Sequence, residues 1–264
     1  MKVPICGVKI DRLSFDRVIK KLVEHIHFER YPAYVVTPNA QHIVIFQNDA
    51  EFQKIYDRAL LSVPDGVPLL WAAKLMNTPL KGRVNGTDLV EKLCAVSAKE
   101  QFKVFFLGGR PQAANRAAQI MSNRYPQLKV IDTYCPPYNF ENDKAEIQKT
   151  AEMIKMAAPD ILFVGLGAPK QEKWIADFYQ KLNVPISIGI GGSFELISGM
   201  VNRAPQWMQQ AGLEWLFRLM VEPRRLGQRY LFGNAVFIWL VVKQKISLIG
   251  SKYLRGDNAA KAKK

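Results

Sequence analysis

Four apolar segments in the middle of the chain constrain its fold more than any other feature of the sequence. Each is rich in β-branched and aromatic residues, and stretches of helical pattern separate them. The segments are KVFFLGG (103–109), KVIDTY (129–134), DILFVGLG (160–167) and ISIGIGG (186–192). Nearly continuous apolar strands that alternate with helices are typical of a parallel sheet covered on both faces, so the sequence predicts an α/β fold.

The first hundred residues show a similar alternation. The predicted strands are ICGVKI (5–10), AYVVT (33–37) and ALLSV (59–63), and the predicted helices are 15–28, a stretch after TPN (37–39), and 86–100. Asp88, with Glu91 three residues later, is the predicted N-cap of the last of these helices. We therefore expect an N-terminal lobe over about 1–100 and a Rossmann-like lobe over about 101–204, together an α/β core.

Composition and cysteine usage narrow the class of protein. The chain has 264 residues, 48% of them hydrophobic and 23% charged, which excludes wholesale disorder. Three widely spaced cysteines without a CxxC pair argue against a disulfide scaffold and favour a reducing compartment. The start, MKVPICGVKID, has no apolar segment of the signal-peptide type, so we expect a cytoplasmic location.

Basic residues are concentrated at the C-terminus. Lys and Arg number 37 against 23 acidic residues, and residues 201–264 hold twelve against three. Such an excess indicates an anionic partner, which could be nucleic acid, a membrane surface or a phosphorylated substrate. In this chain the basic residues are interleaved with Leu, Phe, Trp and Val, which favours lipid over nucleic acid.

The pattern after residue 204 predicts a helical appendage. PQWMQQAGLEWLFRLM (205–220) carries an amphipathic stripe, and an arginine cluster precedes the apolar run LFGNAVFIWLVV (231–242). That run is shorter than the roughly 20 residues that span a bilayer, so it predicts a helix lying in the membrane interface. A terminal helix packed on the core is the alternative. We expect an appendage over 205–250 and a disordered basic tail over 251–264.

Metal chemistry is poorly supported by the sequence. His25, His27 and His42 are the only histidines, and no HExxH motif or Cys/His group accompanies them. The chain also lacks the Asp-x-Asp pair that could hold a divalent ion on a nucleotide diphosphate. We predict that no metal is needed, and that arginines and helix N-termini supply the positive charge for any diphosphate.

An NAD-dependent oxidoreductase is one alternative class. FLGGRPQAA (106–114) is a strand–Gly–Gly–helix turn, and Asp132 stands at the end of the next strand, like the acidic ribose ligand of a dinucleotide site. The GxGxxG fingerprint is absent, because GLGAPK has Lys170 in place of the third glycine. The NAD interpretation is therefore the weaker one.

Three polar motifs each permit a structural and a functional interpretation. Asp65 in VPDG is either a turn residue or a carboxylate at the end of a strand. Asn39 in TPNAQH either caps a helix or, with Thr37, points into a cleft beyond the strand ends. Arg83 in KGRVNGTD is either a surface residue or a rigid fork donor suited to a diphosphate.

Taken together, these motifs resemble those of a known enzyme family. TPNAQH, VPDGVPL, GRVNGTDL, FLGG, VGLGAPKQEKW, GIGGSFELISG, RAPQWMQQAGLEWLFRL and EPRR occur in the order seen in the WecG/TagA/CpsF glycosyltransferases, family 26. The resemblance covers about residues 3–230. It implies an inverting, metal-independent transfer from a UDP-sugar to an undecaprenyl-diphosphate-linked acceptor at the cytoplasmic membrane face, with no cofactor.

The resemblance also implies roles for single residues. Asp65 matches the family's proposed general base, and a free Asp with a pKa of about 4 is ionised at neutral pH. Thr37, Asn39, Arg83 and Gln171 match residues around the donor sugar and diphosphate.

Three further positions follow from the same match. Glu195 stands where related enzymes contact the nucleoside through Asp, and Arg218 and Arg225 match appendage arginines implicated in binding the acceptor diphosphate. N-acetylmannosamine is the commonest donor sugar implied, with N-acetylmannosaminuronic acid and glucose as alternatives, and a homo-oligomer is possible.

Overall fold

The computed structural model describes residues 1–261, and within the last helix it describes no side chains at 224–226, 228–231 and 251–261. The predicted basic tail, 251–264, therefore lies largely outside the described residues.

Six parallel strands form the central sheet, in the order β4-β3-β8-β7-β5-β6, and two more form a separate antiparallel hairpin, β1-β2. The strands are β1 Lys2–Ile5, β2 Val8–Asp11, β3 Ala33–Val36, β4 Leu61–Ser62, β5 Lys103–Gly108, β6 Lys129–Tyr134, β7 Ile161–Gly165 and β8 Ile186–Gly189. The predicted α/β class with a parallel sheet is confirmed. β3 and β4 from the first hundred residues join the sheet through β8.

Twelve α-helices are assigned within residues 1–261, with one π-helical and one 3₁₀ turn. They are α1 Phe15–Glu24, α2 Ala40–Asn48, α3 Ala50–Arg58, α4 Val67–Leu75, α5 Gly86–Glu100, α6 Ala113–Arg124, α7 Lys144–Ala157, α8 Lys170–Leu182, α9 Ser193–Ile197, α10 Gln206–Gln210, α11 Glu214–Val221 and α12 Pro223–Lys261, with the turns His25–Glu29 and Phe140–Asn142.

Two hydrophobic cores lie on opposite faces of the sheet, because side chains alternate along each strand. In β5, Val104 and Phe106 face the core that contains α1, α5, α6 and α9, whereas Phe105 and Leu107 face the core that contains α2, α3, α4, α7 and α8. Residues of β3, β7 and β8 are buried throughout, which explains why these strands are nearly continuous apolar runs in the sequence.

Two local predictions are wrong. The run ICGVKI is not one strand, because Cys6 and Gly7 both have positive φ and form the two-residue turn of the β1–β2 hairpin. The N-cap of α5 is Asn85, whose Oδ1 accepts a hydrogen bond from Thr87 N at 2.9 Å. Asp88 lies in the first turn of that helix instead.

The C-terminal helix α12 packs on the core through one face. Phe237 and Val241 are buried in the same core as α2, Gln244 Oε1 accepts a hydrogen bond from Cys6 N at 2.7 Å, and Lys245 Nζ donates to Leu75 O at 2.6 Å. This packing is the alternative considered for the C-terminal run. The opposite face of α12 is apolar and exposed.

The length expected for the apolar run is also wrong. The helix continues past the run, and its segment Phe232–Gly250, 19 residues, is long and apolar enough to cross a membrane by length and composition. Lys243 and Lys245 end the run in the sequence, but neither residue breaks the helix.

Candidate active site

A cleft of about 850 Å³ lies at the carboxyl ends of the parallel strands. The chain leaves β5 toward β6 and leaves β7 toward β8, in opposite directions along the sheet, and such a switch point is where open α/β sheets bind ligands. Seven of the eight side chains that the sequence singles out line this cleft: Thr37, Asn39, Asp65, Arg83, Gln171, Glu195 and Arg218. The side chain of Arg225 lies outside the described residues.

Thr37 and Asn39 both hold backbone at the rim of the cleft. The Thr37 hydroxyl donates to Gly189 O at 2.8 Å and so ties the end of β3 to the end of β8. Asn39 Oδ1 accepts from Gln41 N and His42 N, which makes Asn39 the N-cap of α2, the structural interpretation of TPNAQH. Because Asn39 also lines the cleft, capping does not remove it from the site.

Gln171, in the first turn of α8, connects two glycine loops. Its Oε1 accepts hydrogen bonds from Gly167 N at 3.2 Å and Gly191 N at 2.9 Å, and its Nε2 donates to Glu172 Oε1 at 2.7 Å. A Cβ at position 189 would lie 2.7 Å from Gln171 Nε2, so only Gly189 lets the amide cross β8. The side chain therefore fixes the loops that follow β7 and β8.

A buried polar network stands behind Gln171. Glu172 and His42 are each 2% exposed, His42 Nε2 lies 3.9 Å from Glu172 Oε1, and His42 Nδ1 lies 2.8 Å from the Tyr56 hydroxyl. Burial, with Glu172 nearby, raises the pKa of Tyr56 well above its usual value. Sequence patterns did not predict this network, since its members come from α2, α3 and α8.

Asp65 follows the short strand β4 and lines the cleft near several charged side chains. Its Oδ1 accepts a hydrogen bond from Asn85 Nδ2 at 3.1 Å. Burial and then the charge of Glu214 raise the pKa of Asp65, Arg83 and Arg218 lower it, and the net pKa is about 6. The expected ordinary pKa near 4 is therefore wrong, but the carboxylate is still mainly ionised at neutral pH.

Arg83 is not a free donor in the described structure. Its Nη1 lies 2.8 Å from Glu214 Oε2, and its Nη2 lies 3.8 Å from Asp88 Oδ2. Arg203 joins the same group, with its Nη2 2.6 Å from Asp88 Oδ1 and its Nε 3.7 Å from Glu214 Oε1. The charges of two arginines and two acids thus balance one another beside Asp65.

Glu214 is a site residue that sequence reasoning missed. It begins α11, in the block GLEWL, so it brings the appendage into contact with the α/β core. The block GLEWL marks this position in the sequence, but as a family motif it does not assign a role to Glu214.

Arg218 and Glu195 lie near the loop that follows β8. A Cβ at Gly192 would come within 3.4 Å of Arg218 Nη2 and 3.6 Å of Glu195 Oε2, so the two side chains approach the same glycine. Glu195 is 8% exposed and its Oε1 accepts a hydrogen bond from Arg110 N at 2.9 Å. The buried atoms Arg218 Nε and Glu195 Oε2 have no hydrogen-bond partner among the described residues.

Other residues considered in the sequence lie apart from this cleft. Asp132 is exposed on the edge strand β6 and does not line it. His25 bonds to Glu29 and to Tyr31 O, and His27 bonds to Glu100, so both have the structural contacts of ordinary side chains. Within the described residues, no three His, Cys, Asp or Glu side chains come together as a metal site would require.

A carboxylate among arginines, next to glycine loops at the strand ends of a Rossmann-like sheet, defines an enzyme cleft suited to a phosphorylated substrate. The chain belongs to the WecG/TagA/CpsF family of glycosyltransferases, whose family model matches residues 3–250.

Two relatives illustrate what the chain is similar to. A protein of Bacillus subtilis (strain 168) is 31% identical over 207 residues, 78% of each chain, and one of Staphylococcus aureus (strain NCTC 8325 / PS 47) is 25% identical over 245 residues, 92% of this chain and 93% of the relative. Both are named N-acetylglucosaminyldiphosphoundecaprenol N-acetyl-beta-D-mannosaminyltransferase.

Proposed function

We propose that this glycosyltransferase moves N-acetylmannosamine, with inversion, from UDP-N-acetylmannosamine to N-acetylglucosamine linked to undecaprenyl diphosphate. The observation that carries the proposal is the position of Asp65 beside Arg83, Asn85 and Arg218 in one cleft. One carboxylate and a set of cations are what an inverting transfer without metal requires. The names of the two relatives support the choice of sugar and acceptor.

Asp65 acts as the general base. The acceptor hydroxyl oxygen forms a bond to the anomeric carbon of the donor while the bond from that carbon to the UDP oxygen breaks. The hydroxyl proton passes to the Asp65 carboxylate, and the bonding electrons leave with UDP. With a pKa of about 6, Asp65 is mostly ionised at neutral pH and is still basic enough to accept a proton as the new bond forms.

Arg83 stabilises the departing diphosphate, on which negative charge grows as the glycosidic bond breaks. Arg83 must exchange part of its ion pair with Glu214 for the phosphate oxygens, since both compete for the same guanidinium edge. Arg218 lines the same cleft beside Gly192, where its guanidinium can meet a second anionic group.

The donor site is formed with the help of four residues, Thr37, Asn39, Gln171 and Glu195. The first three hold the loops at the ends of β3, β7 and β8 in place, and Glu195 Oε2, buried and without a hydrogen-bond partner in the described part of the chain, is the acceptor for a nucleoside hydroxyl. Arg225 is proposed, with Arg218, to bind the acceptor diphosphate.

The enzyme is proposed to work as a peripheral protein on the anionic inner face of the membrane. Several exposed apolar side chains of α12 lie opposite its packed face: Phe232, Val236, Ile238, Trp239, Val242, Ile246 and Ile249. The contact between Lys245 and Leu75 O places the end of α4 beside α12, and α4 carries the exposed side chains of Trp71 and Leu75. We call the exposed apolar side chains of α4 and α12 the apolar surface.

The packed face of α12 argues for a helix that lies on the membrane. Phe237, Val241 and Gln244 bind it to the core, so a crossing orientation would have to remove these contacts. Gly233 and Asn234, near the N-terminal end of the apolar surface, line the cleft. The sugar diphosphate of a lipid-linked acceptor could therefore reach the cleft while its lipid chain stays in the membrane.

A donor panel tests the proposal most directly. The full chain is incubated with polyprenyl-diphosphate N-acetylglucosamine and, in separate reactions, UDP-N-acetylmannosamine, UDP-N-acetylmannosaminuronic acid and UDP-glucose, and the products are detected by mass. We expect product from the first donor. Asp65→Asn should lower its turnover by roughly 10²–10⁴ while donor affinity is retained, the range for removal of a general base. Turnover near that of the wild type would show that Asp65 is a turn residue and not the general base.

A further inference from the structure

We infer that Asn85 is a positioning residue for the general base, an inference that rests on the proposed role of Asp65. Asn85 stands in the loop before α5 and lines the cleft. Its side-chain amide joins two elements: Oδ1 accepts from Thr87 N at 2.9 Å, and Nδ2 donates to Asp65 Oδ1 at 3.1 Å. The helix cap and the contact with the base thus share one planar group.

The cap fixes the orientation of this amide. The Thr87 N–H is a donor, so the group facing it must be the carbonyl oxygen of Asn85. With the oxygen committed to the helix, the NH₂ group faces Asp65, and a rotation by half a turn would place two donors together at the helix and two acceptors together at the carboxylate. The hydrogen bond at the N-terminus of α5 therefore keeps the NH₂ group of Asn85 directed toward Asp65.

This contact has two consequences for the base. It engages Oδ1, so we assign Oδ2, for which the described residues show no hydrogen bond, as the oxygen that accepts the proton. It also stabilises the ionised carboxylate, since a hydrogen bond to the charged form favours that form. The hydrogen bond from Asn85 thus lowers the pKa of Asp65, whereas burial raises it.

The other charged groups that act on Asp65 come from the helices α5 and α11 and from the loop between α4 and α5. Glu214 and Arg218 belong to α11, Asp88 belongs to the first turn of α5, and Arg83 stands two residues before Asn85. The two acids raise the pKa of Asp65 and the two arginines lower it. Asn85 is the neutral residue that touches the carboxylate, so its replacement by another neutral residue changes the contact with the base and removes no charge from the cleft.

Two substitutions separate the cap from the contact with the base. Asn85→Ser keeps a good N-cap, but its side chain is too short to reach Asp65. Asn85→Asp keeps both the shape and the cap oxygen but turns an acceptor and a negative charge toward Asp65. Asp143→Ala is the matched control, because Asp143 caps α7 through Ala145 N and Glu146 N and does not line the cleft.

The experiment measures kcat, KM for UDP-N-acetylmannosamine, the pH dependence of kcat/KM and the melting temperature of each full-length variant, with polyprenyl-diphosphate N-acetylglucosamine as acceptor. We expect Asn85→Ser to lose about tenfold in kcat and Asn85→Asp up to about a hundredfold, with little change in KM. The acidic limb of the pH profile should move to higher pH, by roughly one unit in Asn85→Asp. Asp143→Ala should lose stability and keep the wild-type pH profile.

Two results are decisive against the inference. If both Asn85 variants keep the wild-type kcat and pH profile while Asp65→Asn is inactive, Asn85 is only a helix cap and the base assignment stands. If Asp65→Asn is itself fully active, the proposed base fails, and the inference fails with it.

Discussion

Glu214 Oε2 lies 2.8 Å from Arg83 Nη1. This contact joins α11, a helix of the appendage, to the loop that precedes α5. The two side chains are 13% and 17% exposed, so the pair is partly shielded from water. Because Glu214 also raises the pKa of Asp65, one residue of the appendage acts on both the proposed leaving-group cation and the proposed base.

The first prediction is that Glu214→Gln shifts the acidic limb of kcat/KM to lower pH. The substitution removes a negative charge near Asp65, so its pKa falls from about 6 and the ionised base persists to lower pH, by roughly 0.5–1 unit. The release of Arg83 should also lower KM for the UDP-sugar. Glu100→Gln, which removes an exposed charge beside His27, is the control and should leave both quantities unchanged. An alkaline shift in Glu214→Gln would contradict the electrostatic assignment.

A second prediction concerns stability. The pKa of Asp65 is raised on folding, so the folded state holds a proton at pH values where the unfolded chain has lost it. This contribution to stability is full below pH 4 and is lost as the pH rises through about 6. Asp65→Asn removes the buried charge and should therefore be more stable than the wild type at pH 8, by on the order of 1–3 kcal/mol.

Denaturant unfolding at pH 5 and pH 8 measures the effect. The stability gap between Asp65→Asn and the wild type should narrow at pH 5, where folded Asp65 is largely protonated. A gap that is equal at the two pH values, or that widens at pH 5, would show that the buried charge is not its source.

Much of the fold could be predicted from the sequence because the strands are buried on both faces. Runs such as DILFVGLG and ISIGIGG carry almost no polar residue, and only a covered parallel sheet accounts for them. The hairpin turn at Cys6 and Gly7 was missed, because ICGVKI keeps the composition of a single strand through the turn.

The sequence could predict which residues belong to the candidate site, but it could not predict which of their side chains contact one another. Thr37 directly follows β3, Asp65 lies three residues beyond β4, and Gln171 stands in the first turn of α8, so local position alone directs them to the cleft. The partner of Arg83 lies 131 residues away in a different helix, and only the tertiary arrangement brings Glu214 to it. The same holds for His42 and Glu172.

A third prediction is that Arg83→Ala lowers kcat and weakens UDP binding. The variant loses the fork donor proposed for the diphosphate, and it also leaves Glu214 without its nearest cation, which raises the pKa of Asp65. We expect a loss of about 10²–10³ in kcat and an acidic limb displaced to higher pH. Arg124→Ala, which breaks the exposed pair with Glu91, is the control. Unchanged UDP affinity, measured by calorimetry, would remove Arg83 from the donor site.

A fourth prediction is that activity survives EDTA. The proposed mechanism assigns the leaving-group charge to Arg83, so no divalent ion is needed for the transfer. Turnover is compared before and after chelation, and after addition of Mg²⁺ or Mn²⁺. Loss of turnover with EDTA that Mg²⁺ or Mn²⁺ restores would overturn this assignment of Arg83.

The last prediction concerns the apolar surface formed by α4 and α12. Trp71 and Trp239 are each more than half exposed, and Lys243 Nζ lies 5.0 Å from the centre of the Trp239 ring, so aromatic and basic groups meet there. Aromatic side chains supply a hydrophobic contribution to membrane binding that salt does not remove, whereas each Lys contributes about 1 kcal/mol that salt screens.

The double variant Trp71→Ser/Trp239→Ser should therefore sediment poorly with phosphatidylglycerol vesicles at both low and high salt. Lys243→Ala should lose binding mainly at low salt. Met156→Ser, at an exposed apolar position on α7, is the control and should bind as the wild type does. The double variant should keep its melting temperature and lose transfer to a long-chain polyprenyl acceptor, yet still glycosylate a short, water-soluble one, because neither Trp lines the cleft. Wild-type protein that alkaline carbonate cannot extract from membranes would show that α12 crosses the bilayer, and would exclude the peripheral arrangement.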